Sequence, residues 1–197
     1  MDIAIFGGSF NPVHMGHFEI VRQLVQNRGF LKVIIVPTYQ NPLKHQPPVI
    51  PESVRWQMLE ETFRAFNRVE ISDYELRNQG ISYSYKTLAH FKTQYPADHL
   101  FLILGEDSFA SFPDWVEINA IMTLSKILVF PRPQLRQPKT SIPFFHGFPQ
   151  SVTWLDLDIP DISATQIRNS DMRTIIEKHW IHPSALETWK NRQQTPK

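Results

Sequence analysis

Short apolar runs alternate along the chain with longer segments whose apolar residues recur at helical spacing. The apolar runs predict strands at residues 3–6, 33–36, 69–72, 100–104, 127–130 and 152–155. The helical spacing predicts helices at residues 16–28, 52–66 and 84–94, and three short helices at 164–169, 171–178 and 184–191. Strands that are separated by helices favour an α/β fold in which the strands run parallel.

The expected fold is therefore a doubly wound, Rossmann-like parallel sheet with a small helical portion at the C-terminal end. In such sheets ligands bind at the carboxyl ends of the strands, where the strand order reverses. Residues 38–51 contain four prolines and predict a long loop. Residues 132–149 also predict a loop, with one short extended piece at 143–146. We expect residues 1–191 to form one domain and residues 192–197 to be a disordered tail.

Composition narrows the class of protein. The 197 residues are 42% hydrophobic and 20% charged, which is typical of a globular chain with a sizeable core. The absence of cysteine excludes disulfides, thiol catalysis and cysteine-based zinc sites. A net charge of +1 gives no general reason to expect a nucleic-acid partner. No apolar run is long enough for a membrane span and no signal segment is recognisable, so a cytoplasmic location is expected. The oligomeric state stays open.

The most informative segment lies at the first strand and the helix after it. The strand at residues 3–6 runs into Gly7-Gly8-Ser9-Phe10, and His14 and His17 then open the helix. Glycines let backbone N–H groups approach an anion, and the helix dipole favours negative charge at this end. The segment is therefore expected to bind phosphate. It is neither a Walker A loop nor a Gly-x-Gly-x-x-Gly fingerprint. The alternative is a tight strand-to-helix turn with a capping or zinc-binding histidine pair.

A second segment, at residues 162–168, has the chemistry to support the first. Ser163 and Thr165 stand at a predicted helix start, and Arg168 follows one turn later. Ser163 read alone could be an ordinary N-cap. Two helix N-termini together with a guanidinium could cradle a triphosphate.

These two segments resemble the signatures of the His-x-Gly-His nucleotidyltransferase superfamily, whose second signature is Ile-Ser-x-Thr-x-x-Arg. Within it the resemblance is greatest to the bacterial nicotinate-nucleotide adenylyltransferases and extends over most of the chain. Residues 41–44, Asn-Pro-Leu-Lys, are similar to a family Pro-Pro-His-Lys element, with Leu43 in the place of the histidine. Residues 80–88 resemble the family's Ser-Tyr-Thr helix start, with Ser84 where threonine is commoner. Residues 104–107 resemble its Leu-Gly-x-Asp element, and Trp115 follows where the family has tryptophan.

The resemblance implies a role for each matched residue. His14, His17, Lys44 and Arg168 are expected to be catalytic. ATP is expected to contact a larger set, which comprises Gly7, Gly8, Ser9, Phe10, His14, His17, Gly105, Asp107, Ser163, Thr165 and Arg168. Nicotinate mononucleotide is expected to contact Asn11, Lys44, Ser84 and Trp115. No metal-ligating residue is expected, because Mg²⁺ would be carried with ATP on phosphate oxygens and water.

Several of these residues also allow simpler interpretations. Lys44 could be a solvated loop lysine, Asp107 and Ser84 could be plain helix caps, and Trp115 could be a core residue. Three further arginines have no assigned role and are expected to be surface charges: Arg55, Arg64 and Arg132.

The implied activity is transfer of AMP from ATP to nicotinate mononucleotide, which gives deamido-NAD and pyrophosphate. Other acceptors stay open, namely nicotinamide mononucleotide and phosphopantetheine, as does cytidylyl transfer. From a different class, a catalytically silent nucleotide sensor also stays open. Intact His14, His17 and Arg168 argue against the sensor, and the absence of a basic stripe or aromatic platform argues against a nucleic-acid-binding module.

Overall fold

A computed structural model describes residues 1–44, 48–131 and 152–192. Six strands form one parallel sheet in the order β3-β2-β1-β4-β5-β6. Their bounds are β1 Asp2–Gly8, β2 Lys32–Pro37, β3 Val69–Ile71, β4 His99–Gly105, β5 Ser125–Phe130 and β6 Val152–Trp154. The order reverses between β1 and β4, which places the expected ligand site at their carboxyl ends. The predicted doubly wound sheet is confirmed.

Helices cover both faces of the sheet. Their bounds are α1 Met15–Asn27, α2 Glu52–Phe63, α3 Tyr74–Asn78, α4 Ser84–Gln94, α5 Glu106–Ala110, α6 Ile118–Leu124, α7 Ala164–Arg168, α8 Met172–Glu177 and α9 Leu186–Asn191. Within the part of the chain that the structure describes, the 3₁₀ turns Phe112–Asp114 and Pro183–Ala185 lie before α6 and α9.

Alternate residues of each central strand enter opposite cores. In β1, Ala4 and Phe6 join the core under α1, α2 and the C-terminal helices, whereas Ile3 and Ile5 join the core under α4, α5 and α6. The apolar runs of the sequence are continuous for this reason, because both faces of a parallel sheet are buried.

The structure departs from the predicted elements in a few places. Helix α2 ends at Phe63 rather than at residue 66, because the Phe66 N–H turns back to the Phe63 carbonyl. The Phe66 ring then packs against Phe18 at 5.5 Å between centroids. Helices α3, α5 and α6 were not predicted, since each is too short for a clear helical period.

The structure describes only Arg192 of the predicted tail and none of the predicted loop at residues 132–149. Arg192, which the prediction placed in the tail, packs over the Trp189 ring at 3.6 Å and donates a hydrogen bond to the Trp189 carbonyl. Residues 193–197, the predicted loop at residues 132–149 and its extended piece at 143–146 lie outside the described residues.

Candidate active site

A cleft of about 1100 Å³ opens at the carboxyl ends of β1 and β4. Every candidate site residue named from the sequence lines this one cleft: Gly7, Gly8, Ser9, Phe10, Asn11, His14, His17, Lys44, Ser84, Gly105, Asp107, Trp115, Ser163, Thr165 and Arg168. We call residues 7–17 and 38–44 the N-terminal wall, and residues 159–168 the C-terminal wall.

His14 and His17 are joined at the start of α1. His14 is the N-cap residue and is 5% exposed, and its backbone N–H donates to Nδ1 of His17 at 3.2 Å. In return, the His14 side chain accepts from the backbone of His17, so the pair forms a reciprocal capping box. The ring centroids are 3.7 Å apart. The capping interpretation of the pair is therefore correct, and it is compatible with phosphate binding.

This arrangement decides which nitrogen of His17 carries the proton. A ring nitrogen that accepts a hydrogen bond has no proton, so neutral His17 is protonated at Nε2. An N–H donor is what a phosphate oxygen requires. A Cβ on Gly16 would lie 3.0 Å from the His14 ring, so a larger residue at this position would require that ring to shift.

The turn after β1 differs from the predicted glycine turn. Gly7 and Gly8 are still in the strand, and the left-handed residue is Phe10, with φ of 42°. The Phe10 ring is 2% exposed and packs edge-on against His17 at 4.9 Å between centroids. A Cβ on Gly8 would lie 3.2 Å from that ring. The absence of a side chain at Gly8 therefore leaves space for the Phe10 ring, and the Phe10 ring packs against the His17 ring.

The C-terminal wall reaches back to the N-terminal wall through Arg168. Ser163 is the N-cap of α7, as the simpler interpretation held, and its hydroxyl accepts from the Gln166 N–H at 3.1 Å. The Arg168 guanidinium donates to Thr165 Oγ1 at 3.0 Å and to the carbonyl of Asn11, which lies 157 residues earlier. One side chain thus joins the two sequence signatures.

Asp107 is not the cap of α5. Gly105 holds that position, and Asp107 lies exposed in the first turn of the helix. A Cβ on Gly105 would lie 2.6 Å from Asp107 Oδ1 and 3.1 Å from the Phe130 ring. Glycine is therefore required for the Asp107 carboxylate to turn back over the end of β4.

The other end of the cleft is formed by α4, Trp115 and the loop after β2. Ser84 is the first residue of α4 and not its cap, which is Tyr83. Trp115 is half-buried and packs against Phe112 at 5.2 Å between centroids. It therefore contacts the core on one side and also lines the cleft. Lys44 is exposed at the cleft, consistent with a solvated lysine as well as with a phosphate contact.

The sequence interpretation was wrong about Arg55. This residue is only 1% exposed, whereas Arg64 is on the surface as predicted and Arg132 lies outside the described residues. The guanidinium Nη1 of Arg55 donates to the carbonyls of Ser9 and Thr38, both at 2.9 Å. Burial lowers the pKa of Arg55 to about 10, so it stays charged at neutral pH. A signal was present, because Arg55 lies three and four residues before buried Met58 and Leu59.

The buried glutamate Glu75 was also not identified from the sequence. Glu75 is 8% exposed, and its carboxyl group accepts hydrogen bonds from the hydroxyls of Thr87 and Ser82. Burial raises its pKa. Ser82 in turn accepts from the Tyr39 N–H at 3.0 Å, so Glu75 supports the loop that carries Lys44.

Comparison with known proteins assigns the family. The family model described as cytidylyltransferase-like matches residues 5–170. A Clostridium tetani protein named "Probable nicotinate-nucleotide adenylyltransferase" is 32% identical, over 84% of this chain and 84% of its own. An Aliarcobacter butzleri protein of the same name is 34% identical, over 85% and 86%. The chain belongs to the nicotinate-nucleotide adenylyltransferases, within the cytidylyltransferase-like family.

Solved structures share the fold. The nicotinic acid mononucleotide adenylyltransferase of Plasmodium falciparum, complexed with NaAD, superposes with a TM-score of 0.78 at 16% identity, over 99% of this chain and 98% of that one. At this identity the likeness shows the fold alone.

The described residues contain neither a metal-ligating cluster nor a membrane-spanning helix. No group of three or more histidine, aspartate or glutamate side chains within residues 1–44, 48–131 and 152–192 could hold a metal ion. None of the helices in those ranges is both long and apolar enough to cross a membrane.

Proposed function

We propose that the protein transfers AMP from ATP to nicotinate mononucleotide, with deamido-NAD and pyrophosphate as products. The observation that carries the proposal is the link from Arg168 to Asn11. It unites the two phosphate-type signatures of this enzyme family in a cleft that also holds the acceptor-type residues. The Plasmodium falciparum neighbour was solved with NaAD and with APC, and this supports a nucleotide in the equivalent cleft.

On the ATP side, His17 and His14 would hold the α- and β-phosphates at the N-terminus of α1. Its backbone N–H groups and dipole favour an anion there. Ser163, Thr165 and Arg168 would hold the β- and γ-phosphates from the other wall. Other contacts to ATP would come from Gly7, Gly8, Ser9, Gly105 and Asp107, with Phe10 acting through the His17 ring that it supports.

On the acceptor side, Lys44 would neutralise charge between the acceptor phosphate and the α-phosphate. Ser84 and the start of α4 would receive the nicotinate carboxylate, since Tyr83 makes no side-chain cap bond there. Trp115 would stack on the pyridine ring. Asn11 already uses Oδ1 to accept from the Ile50 N–H at 3.0 Å, so it would contribute through its amide nitrogen or backbone.

The chemistry requires positioning and charge neutralisation rather than a covalent intermediate. An oxygen of the acceptor phosphate attacks the α-phosphorus of ATP and forms the new P–O bond. The bond from the α-phosphorus to the oxygen that bridges it to the β-phosphorus breaks, and pyrophosphate leaves with that electron pair. The Nε2–H of His17 would stabilise charge on the α-phosphoryl oxygens in the transition state. Mg²⁺ carried on ATP would neutralise phosphate charge through phosphate oxygens and water.

The test is pyrophosphate release from ATP with three separate acceptors: nicotinate mononucleotide, nicotinamide mononucleotide and phosphopantetheine. We expect nicotinate mononucleotide to be preferred over its amide by at least about tenfold in kcat/KM, which one charge-assisted contact can supply. A preference for phosphopantetheine, or ATP binding without release in any mixture, would reject the proposal. Equal use of the two mononucleotides would reject only the carboxylate contact.

We also propose that residues 1–191 act as one domain in the cytoplasm. Limited proteolysis and cell fractionation would test these two points separately.

A further inference from the structure

The buried position of the Arg55 guanidinium is not explained by a gain in folding stability. Moving a guanidinium into the protein interior is costly, and an apolar residue of similar size is often as stable or more stable at such a site. Arg55 nevertheless lies 1% exposed on the buried face of α2, with two carbonyl partners and with no partner at Nε among the described residues. Its charge is offset only weakly, by Glu52 one turn earlier at the exposed start of α2.

The two carbonyls lie where the N-terminal wall divides. Ser9 follows β1 and Thr38 follows β2, and these strands are paired as far as Gly8 and Pro37. The last backbone hydrogen bond between them runs from the Thr38 N–H to the Gly8 carbonyl at 2.9 Å, and the Thr38 hydroxyl makes a long contact of 3.5 Å with the Ser9 hydroxyl. Beyond these contacts the two segments separate, until the Ile50 N–H donates to Asn11 Oδ1 at 3.0 Å. At the point of separation a single nitrogen of Arg55 joins the Ser9 and Thr38 carbonyls.

The separating segments lead to the two substrates of the proposed reaction. From Ser9 the chain continues to His14 and His17, and from Thr38 it continues to Lys44. The second segment is also held from its other side, because Tyr39 and Gln40 form hydrogen bonds with Ser82. Its base is therefore fixed, although Lys44 at its end is exposed.

We propose that Arg55 is a positioning residue for AMP transfer, which fixes the spacing between the histidine segment and the Lys44 loop and so aligns the acceptor phosphate with the α-phosphate. The inference rests on the proposed function. Arg55 acts through the carbonyls of Ser9 and Thr38 and does not itself touch substrate. Small errors of alignment are costly, since a misplacement of about 1 Å can reduce the rate about 100-fold.

The experiment compares Arg55→Met, Arg55→Lys and a matched control, Arg64→Met, which changes an exposed arginine at the end of the same helix. Steady-state kinetics with ATP and nicotinate mononucleotide would be combined with the Kd of each substrate alone and of deamido-NAD, which spans both halves of the cleft. All measurements would be made well below the melting temperature of each variant.

For Arg55→Met we expect kcat to fall at least about tenfold, while the Kd of each separate substrate changes less than about threefold. Deamido-NAD should lose about tenfold in affinity, because only a ligand that spans both halves senses their spacing. Arg55→Lys should retain an intermediate kcat, since an ammonium keeps the charge but lacks the planar guanidinium. Arg64→Met should match the wild type.

A folded Arg55→Met variant with normal kcat would overturn the inference, as would a loss confined to ATP affinity. If Arg55→Met does not fold, Arg55→Lys decides by the same measurements: a normal kcat and normal deamido-NAD affinity would overturn it. A wild-type protein that releases no pyrophosphate would reject the proposed function instead, so the two failures are distinguishable.

Discussion

The two walls of the cleft are built in different ways. The N-terminal wall rests on buried groups: the Phe10 ring lies under His17, Arg55 joins two of its carbonyls, and Glu75 supports it through Ser82. The C-terminal wall is anchored by the buried Ile162 and Ile167, but its polar side chains are partly or fully exposed. Ser163 caps the five-residue helix α7, and Arg168 bonds to Thr165 and Asn11. The N-terminal wall is thus preorganised by buried groups, whereas the polar groups of the C-terminal wall are held by hydrogen bonds near the surface.

The largest expected effect comes from breaking the preorganised wall. His17→Ala should reduce kcat by about 100-fold or more, because a positioned donor is worth most against transition-state charge. ATP affinity should change much less. Rapid-quench turnover and equilibrium ATP binding would measure the two quantities, and near-normal turnover would remove His17 from the mechanism.

Arg168→Lys should have the next largest effect, and its character should differ. The positive charge is kept, but a lysine cannot bond to Asn11, Thr165 and a phosphate through one planar fork. We expect kcat/KM for ATP to fall about tenfold. Kinetics over a range of ATP concentrations would show this, with Arg173→Lys as a control at an exposed arginine of α8. Unchanged ATP affinity and rate would place Arg168 away from the phosphates.

Ser163→Ala should give a smaller loss that is confined to the C-terminal wall. It removes the acceptor for the Gln166 N–H, and the loss of an N-cap costs about 1 kcal/mol. Because α7 has only five residues, that cost should appear as a higher KM for ATP, with kcat nearly unchanged. A fall in kcat as large as that of His17→Ala would show that the two walls are not separable.

The smallest effects concern pH, and their opposite signs sharpen the comparison. Burial raises the Glu75 pKa above its ordinary value of 4.5, so the folded state binds this proton more tightly than the unfolded state does. Stability contributed by this group is therefore lost as pH rises from 4.5 to the raised value. Hydrogen bonds from Thr174 lower the pKa of Asp171, the N-cap of α8, below 3.8. Its contribution is present above 3.8 and is lost as pH falls through the lowered value.

Denaturant unfolding at a series of pH values would measure both effects as differences from the wild type. Relative to Glu75→Gln, the wild type should lose stability as pH rises through its window. Relative to Asp171→Asn, it should lose stability as pH falls. Two differences of the same sign would contradict the assignment of a buried support to one wall and an exposed cap beside the other.

Much of the fold could be predicted because its signals are local. The strand cores and helix α4 follow from apolar runs and helical spacing within a few residues of each other. Helices α3, α5 and α6 could not be predicted, since five to seven residues contain too few turns to establish a period. Similarly, the start of the turn after β1 was misplaced: the sequence put Gly7 and Gly8 in the turn, but both remain in the strand, and Phe10 takes the left-handed conformation.

The sequence by itself determined the class of sheet, the family resemblance and the residues that gather around the cleft. These features depend on residue types that lie a few positions apart, and such local patterns can be recognised directly in the sequence. Only the tertiary structure decided how those residues are held. The bond from Arg168 to Asn11 spans 157 residues, and the burial of Arg55 and Glu75 depends on loops that meet at the sheet edge. From residue type alone, an arginine is expected to be a surface charge, because its burial depends on how the rest of the chain packs around it.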